Sequence, residues 1–194
     1  MLFDADGVVV NPAFQFAKLL AEQYSITREM TSGFFRGVFN ECMVGKADLR
    51  LVLAPYLPEW GWQGTLDEFM RAWWEADNVV DLRIVNAVGE LRQNGMLCCL
   101  ATNQEVNRAA YMRTHMCFWQ VFDRLFFSCE LGCQKPEPAY FYSIQQKLEL
   151  ESRELLLRDD YQKNVEVARE CGWQAELYTR FEAFKERIKT WTSL

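Results

Sequence analysis

The chain begins with the stretch MLFDADGVVV, residues 1–10, in which an apolar run ends in polar residues. Asp4 and Asp6 stand two residues apart there, and Gly7 follows them directly. This pattern is typical of a short buried strand that ends in a sharp turn, which glycine permits. Two carboxylates at a strand end could hold a magnesium ion and divide nucleophilic from acid/base work, because hard cations prefer oxygen ligands. A polar turn without chemistry is the alternative, and the pair alone does not decide.

From residue 82 onward, short apolar runs alternate with amphipathic stretches. The apolar runs are residues 96–101, 125–127, 155–157 and 174–178. Helical patterns occupy residues 82–94, 105–116, 139–148 and 165–171, and a closing helix begins at Phe181. Such alternation predicts an α/β fold with a parallel sheet.

The segment between the first apolar run and residue 80 has a different pattern. Helical periodicity occurs at residues 14–24, 29–39, 49–56 and 66–74, and no strand pattern is convincing. A helical insert is therefore predicted directly after the first strand. We expect two domains: an α/β core formed by residues 1–12 and 80–194, and a helical domain formed by residues 13–79.

Polar residues also follow two later apolar runs. Thr102 and Asn103 end the run at residues 96–101, where a helix start could receive a phosphate oxygen; a helix N-cap explains Thr102 equally well. Lys135 lies in a loop between a strand and a helix and is followed by Pro136. A loop lysine is usually solvated, but over a carboxylate cluster its charge would orient a phosphate and relieve repulsion.

The fourth polar strand end contains two adjacent acids. Asp159 and Asp160 follow the run at residues 155–157, and Asn164 stands four residues beyond Asp160. Adjacent carboxylates repel each other unless a cation lies between them, although an exposed acidic turn is the simpler alternative. All four polar segments are predicted at the carboxyl ends of parallel strands, where open α/β sheets bind their ligands. This coincidence favours one shared site.

Four segments, LFDADGVVV, LATN, CQKPEPAYF and LLLRDDYQKNVEVARECGW, resemble the four ordered motifs of the haloacid dehalogenase (HAD) superfamily. The resemblance covers nearly the whole chain. It implies a Rossmann-like, three-layer parallel-sheet core. The helical insert resembles the cap domain that subfamily I members carry between the first and second motifs. A closer likeness is to bacterial sugar-phosphate phosphatases.

The resemblance also implies roles for individual residues. Asp4 would be the nucleophile that forms an aspartyl-phosphate, and Asp6 would protonate the leaving oxygen and then activate water. Thr102 and Lys135 would bind the transferring phosphoryl group, with Asn103 as a secondary phosphate contact.

The implied cofactor is Mg²⁺. Asp160 would bind it together with Asp4 and the backbone carbonyl of Asp6, while Asp159 would act through metal-bound water. Asn164 would support this loop. Arg158 departs from the family pattern, which has an apolar residue or glycine before the acids. Either the strand ends early or an additional cation lies near the site.

A glycine-bearing loop in the insert, Gly45 followed by Lys46, resembles the loop with which related caps reach the active site. An ordinary interhelical turn explains it equally well. Lys46 is the cap residue that we expect to contact the substrate.

Composition limits the partners. The formal net charge is −6 and the isoelectric point is near 5.0, which argues against nucleic-acid binding. The seven cysteines form no zinc-binding pattern and are expected to be reduced thiols. We expect no signal peptide, no membrane span and a cytoplasmic location.

The sequence thus predicts a Mg²⁺-dependent phosphatase that hydrolyses a small phosphorylated metabolite, for which a sugar phosphate is one candidate. A phosphomutase of the same fold and a non-catalytic phosphate-binding protein are the alternatives. A dehalogenase fits less well, because Asp6 stands where dehalogenases of the family have no acid. The sequence does not predict an oligomeric state.

Overall fold

The computed structural model describes residues 1–13 and 15–192, with side chains up to Ile188. Phe14, where the first helix of the insert is predicted to begin, lies outside these residues. Five parallel strands form one sheet in the order β3-β2-β1-β4-β5. The strands are β1 (Leu2–Phe3), β2 (Cys99–Thr102), β3 (Arg124–Phe127), β4 (Leu156–Asp159) and β5 (Gln174–Leu177). The predicted parallel α/β fold is confirmed.

The strand order reverses at β1, which lies in the middle of the sheet. Phe3 pairs with Leu100 of β2 on one side and with Arg158 of β4 on the other. The chain moves outward from β1 through β2 to β3, and then returns to the other side of β1 for β4. Such a reversal opens a crevice at the carboxyl ends of the central strands. Asp4, directly after β1, therefore lies at the centre of this edge.

Helices cover both faces of the sheet. Because alternate strand residues point to opposite faces, Phe3 belongs to one hydrophobic cluster and Leu2 to the other. The helices of the core are α7 (Leu82–Gln93), α8 (Val106–Thr114), α9 (Phe118–Val121), α10 (Ser128–Leu131), α11 (Pro138–Leu148), α12 (Gln162–Glu170) and α13 (Phe181–Thr192). The first cluster includes Val88 of α7 and Phe184 of α13, and the second includes Phe141 of α11. This is the predicted three-layer core.

Among the described residues, six helices lie in the insert between β1 and α7. They are α1 (Gln15–Tyr24), α2 (Arg28–Arg36), α3 (Phe39–Met43), α4 (Leu49–Leu53), α5 (Tyr56–Glu59) and α6 (Leu66–Ala76). They share a hydrophobic cluster that includes Phe34, Phe69 and Trp60. The chain enters and leaves the insert side by side, since Asn11 N donates to Val79 O. The domain boundaries near residues 12 and 80 remain a prediction.

Two of the helices predicted for the insert are each divided into two. The segment 29–39 is interrupted at Gly37, which terminates α2. The segment 49–56 is interrupted near Pro55, which directly precedes α5. Ala54 keeps a helical conformation, with φ −50° and ψ −42°, but Pro55 has no backbone N–H to donate, which accounts for the second break.

None of the described helices combines the length and the apolar character that crossing a bilayer requires. All seven cysteines lie among the described residues, and each is a free thiol.

Candidate active site

The four predicted motif segments meet at the carboxyl edge of the sheet. They line a cavity of about 340 Å³ between the core and the inserted helices. Its lining includes the predicted site residues Asp4, Asp6, Thr102, Asn103, Lys135, Asp160 and Asn164. Asp4 and Thr102 stand at the ends of neighbouring strands, so the crossover topology brings together residues that are 98 positions apart in sequence.

Lys135 lies at the centre of the buried charges. Its ammonium donates to Asp4 Oδ1 at 2.9 Å, to Asp159 Oδ2 at 2.6 Å and to the backbone oxygen of Ala101 at 2.9 Å. Its side chain is 1% exposed, and the three contacts use its three donors. The lysine thus holds two carboxylates from different strands next to each other.

The electrostatics of this cluster follow from its burial. Burial raises the pKa of Asp4 to about 7, an effect that Lys135 opposes and Asp159 reinforces. Burial also raises the pKa values of Asp6 and Asp160. Burial acts to lower the pKa of Lys135, but the facing carboxylates outweigh it and the pKa lies above its ordinary value. The carboxylates therefore outnumber the buried ammonium, and a further positive charge would stabilise their ionised forms.

In residues 1–13 and 15–192, one group of acidic side chains has the spacing of a metal site. Carboxylate oxygens of Asp4, Asp159 and Asp160 lie within 4.8 Å of one another. Oxygen ligands of this kind fit Mg²⁺. Gly7 makes room for them: at φ +92° it adopts a conformation that favours glycine, and a Cβ atom there would lie 2.1 Å from Asp160 Oδ2.

Asp159 differs from the other two acids because both of its oxygens are already engaged. Oδ2 accepts from Lys135, and Oδ1 accepts from the backbone N of Tyr161 and from Asn164 Nδ2, both at 2.9 Å. Asp160 is solvent-exposed and lines the cavity. This arrangement fits a supporting role for Asp159 and a direct metal contact for Asp160, and it gives Asn164 the loop-supporting contact expected from the sequence.

Asp6 is held by a residue that the sequence did not indicate. Gln104 Nε2 donates to Asp6 Oδ2 at 2.6 Å and to Thr102 Oγ1 at 3.1 Å. Gln104 is buried, and its backbone N donates to Ser128 Oγ. In the sequence, the one feature that points to Gln104 is its position directly after Thr102 and Asn103.

Asn103 makes contacts that were not predicted. Its Oδ1 accepts from the backbone N of Lys135 at 2.9 Å, and its Nδ2 donates to the backbone oxygen of Lys135 at 2.8 Å. The amide thus fixes the loop that carries the lysine. Asn103 also lines the cavity, and its contact with phosphate remains a prediction.

A buried arginine connects the core to the insert. Arg108 of α8 donates to the backbone oxygen of Trp74 at 3.1 Å and to that of Asp77 at 2.7 Å. It also lines the cavity and counteracts the rise of the Asp6 pKa. The helical pattern gave no indication of this role, because its partners lie more than thirty residues earlier in the sequence.

The glycine-bearing loop of the insert reaches the core, but Lys46 does not line the cavity. Gly45 lies so close to the core that a Cβ atom would be 2.4 Å from the backbone oxygen of Cys129, and Ser128 Oγ donates to Met43 O at 2.6 Å. Lys46 itself is exposed. The insert contributes Phe39, Met43, Trp73 and Asp77 to the cavity wall instead.

Arg158 belongs to the strand and is buried away from the cavity lining. Its guanidinium pairs with Glu176, its neighbour in the register of β5, and lies 5.4 Å from the centre of the Phe184 ring. The strand therefore does not end early. The arginine thus shares Glu176 with Arg187 and does not line the cavity that contains the carboxylate cluster.

Solved structures with the same fold belong to HAD proteins. A HAD family enzyme of Bacteroides thetaiotaomicron superposes with a TM-score of 0.77 at 17% identity, covering 92% of each chain. That enzyme in complex with magnesium and inorganic phosphate gives a TM-score of 0.75 at 18% identity, again covering 92% of each chain. A predicted HAD-like family hydrolase of Porphyromonas gingivalis has a TM-score of 0.77 at 17% identity, covering 96% of this chain and 95% of that one. Identities this low show a shared fold.

A sequence relative matches part of the chain. This chain is 29% identical to the bifunctional epoxide hydrolase 2 of Rattus norvegicus over 93 residues. The match covers 46% of this chain and 17% of that protein. No protein-family model matches the chain.

Proposed function

Because the chain has the fold of the HAD family, we propose that it is a Mg²⁺-dependent phosphohydrolase that cleaves a small phosphate monoester. One observation carries the proposal: Asp4, Asp159 and Asp160 bring carboxylate oxygens within 4.8 Å of one another, with Lys135 in contact with the first two. Such a cluster supplies a nucleophile, a site for a hard cation and a fixed positive charge.

Asp4 is the proposed nucleophile. Its Oδ1 accepts from Lys135 and from the backbone N of Ala5, which fixes the carboxylate at the cavity floor. No hydrogen bond to its Oδ2 occurs among the described residues, so this oxygen is available to attack phosphorus. The new bond to phosphorus forms as the ester P–O bond breaks, giving an aspartyl-phosphate.

Asp6 serves as the proposed acid and base. It gives its proton to the leaving alcohol oxygen and then takes a proton from water, whose oxygen bonds to phosphorus as the bond to Asp4 breaks. Inorganic phosphate is the product. Gln104 holds Asp6 Oδ2, so the second carboxylate oxygen is oriented for proton transfer. The Thr102 hydroxyl binds a phosphoryl oxygen, with Asn103 beside it, and Lys135 binds the phosphoryl group through its charge, because its three donors already have partners.

The residues that would hold the metal are Asp4, Asp160 and the backbone carbonyl of Asp6, with Asp159 in support. Mg²⁺ would neutralise charge that develops on the phosphoryl oxygens. The B. thetaiotaomicron enzyme with bound magnesium and inorganic phosphate supports this choice of cofactor and product. The proposed partner is a small phosphorylated metabolite, and the cytoplasmic location remains a prediction from the sequence.

Removal of magnesium is expected to abolish hydrolysis of a small phosphate monoester, because the clustered carboxylates would then repel both one another and the incoming phosphate. The measurement is phosphate release from a panel of aryl, sugar and nucleotide phosphates, with Mg²⁺ and with excess chelator. Restored Mg²⁺ should restore turnover, which controls for damage by the chelator. Undiminished hydrolysis in excess chelator would contradict the metal assignment.

The same reactions distinguish a phosphatase from a phosphomutase. Phosphorus NMR of the products from a hexose monophosphate should contain inorganic phosphate and no accumulating positional isomer. If a positional isomer forms faster than free phosphate, the protein is a phosphomutase and the phosphatase assignment is wrong.

A further inference from the structure

A second cavity adjoins the candidate active site inside the insert. It has a volume of about 490 Å³ and lies among helices α1, α2, α3 and α6. Phe39, Trp73 and Asp77 line both this cavity and the active-site cavity. The two spaces are therefore neighbours that share these three residues as part of their walls.

The wall of the second cavity is mainly apolar. Phe16, Leu20 and Ile26 are buried around it. Phe35 and Trp73 are partly exposed, although aromatic rings of this size are usually covered. A volume of this size with an apolar, aromatic lining is typical of a ligand pocket.

The buried polar side chains of this cavity are already satisfied. Thr31 Oγ1 donates to a backbone oxygen at the start of α2, where Thr27 O and Arg28 O both lie at 3.3 Å. Asp77 accepts from the backbone N of Phe16 at 2.9 Å and from Trp73 Nε1 at 3.1 Å. A site that recognises sugar hydroxyls needs polar groups with remaining capacity, because hydroxyls buried without partners are costly. In this lining, the buried Thr31 and Asp77 already have hydrogen-bond partners, and the charged residues Arg28 and Arg36 are exposed.

We propose that the alcohol half of the substrate is apolar, so that the substrate is a phosphate monoester of an aliphatic or aromatic alcohol. This inference rests on the proposed function, because it requires the phosphate to lie at Asp4. The apolar group then occupies the second cavity and covers Phe35, Phe39 and Trp73. Burial of these surfaces provides the binding free energy that a hydrophilic alcohol would not supply.

The test is a series of ethyl, butyl, hexyl and octyl phosphate. Calorimetry on the Asp4→Asn protein with Mg²⁺ measures binding without turnover, and kcat/KM is measured on the unaltered protein. Affinity and kcat/KM should rise about fourfold per methylene until the cavity is filled, the fold-change that corresponds to about 0.8 kcal/mol per buried methylene. A hexose phosphate should bind more weakly than hexyl phosphate. Values that do not change with chain length would overturn the inference.

A bulky substitution tests the location. Ala17 of α1 is partly exposed and lines the second cavity. Ala17→Trp should fill this cavity. The increase in affinity from ethyl to octyl phosphate should then be smaller by about tenfold or more, as loss of two buried methylenes implies. Gln23→Trp adds the same ring at an exposed position of the same helix and should leave the series unchanged. If affinity depends on chain length equally in both variants, the assigned location is overturned.

The proposed function and this inference fail in different ways. Phosphate release from ethyl phosphate with no dependence on chain length would retain the hydrolase and overturn the apolar substrate. Chain-length-dependent binding without phosphate release from any ester would overturn the hydrolase and support the apolar occupant. If Ala17→Trp does not fold, as its thermal unfolding would reveal, the binding series alone decides.

Discussion

The Asp4→Asn variant is expected to lose about four orders of magnitude or more in kcat while remaining folded, because an amide of nearly the same shape cannot act as an anionic nucleophile. Asp4 lies at the cavity floor in contact with Lys135 through Oδ1, and its Oδ2 is the oxygen proposed to attack phosphorus. The measurement is phosphate release at saturating substrate and Mg²⁺, together with thermal unfolding of the variant.

Asp67→Asn is the matched control for this substitution. Asp67 is an exposed aspartate of the insert that pairs with Arg50, and an exposed pair contributes little to stability. Its kcat should be unchanged. An Asp4→Asn protein that unfolds normally and retains a comparable turnover would require another nucleophile.

Lys135→Met is expected to lower the free energy of unfolding by about 3–5 kcal/mol and to abolish turnover, because removing one partner of a buried ion pair leaves charge uncompensated. Its ammonium contacts Asp4 and Asp159, which have side-chain exposures of 12% and 0%. Methionine preserves most of the volume but not the charge. Urea unfolding without metal measures the difference in stability.

Lys163→Met provides the comparison for this variant. Lys163 is half-exposed and lies 3.5 Å from Glu166 on the same helix. Its replacement should change stability by less than about 0.5 kcal/mol, as is usual at the surface. If Lys135→Met lowered the free energy of unfolding by as little, the close approach of Asp4 and Asp159 would not depend on this lysine.

The sequence was sufficient for the sheet and for its polar edge. Apolar runs that end in aspartate, threonine or paired acids identify the carboxyl ends of parallel strands, and the reversal of strand order at β1 then brings them together. Asp4, Thr102, Lys135 and Asp160 could be found in this way because each stands beside a strand end or in a strand-to-helix loop. Their catalytic roles remain proposals.

The remaining parts of the site depend on contacts between distant segments. Arg108 has the sequence context of a surface residue, and its burial depends on backbone oxygens at the end of α6. Gln104 becomes important only because it reaches Asp6 across the strand ends. Lys46 was expected at the site because its loop approaches the core, but the approach is made by Gly45 and Met43 while the lysine is exposed.

The apolar cavity was not predicted either. The aromatic residues of the insert have the helical spacing of a core, and many of them do form one. That spacing does not distinguish a fully packed core from one that leaves space between α1, α2 and α6. Helical spacing alone therefore gives no indication that residues such as Trp73 line both cavities.

The most direct test of the account is to locate the phosphoryl group on the protein during turnover. A phosphate monoester labelled at phosphorus is mixed with the protein and Mg²⁺, the reaction is stopped in acid within one turnover, and the labelled peptide is sequenced by mass spectrometry. We expect a hydroxylamine-sensitive acyl phosphate on Asp4, absent from Asp4→Asn. Label on another residue, or label retained by Asp4→Asn, would contradict the central claim that Asp4 is the nucleophile.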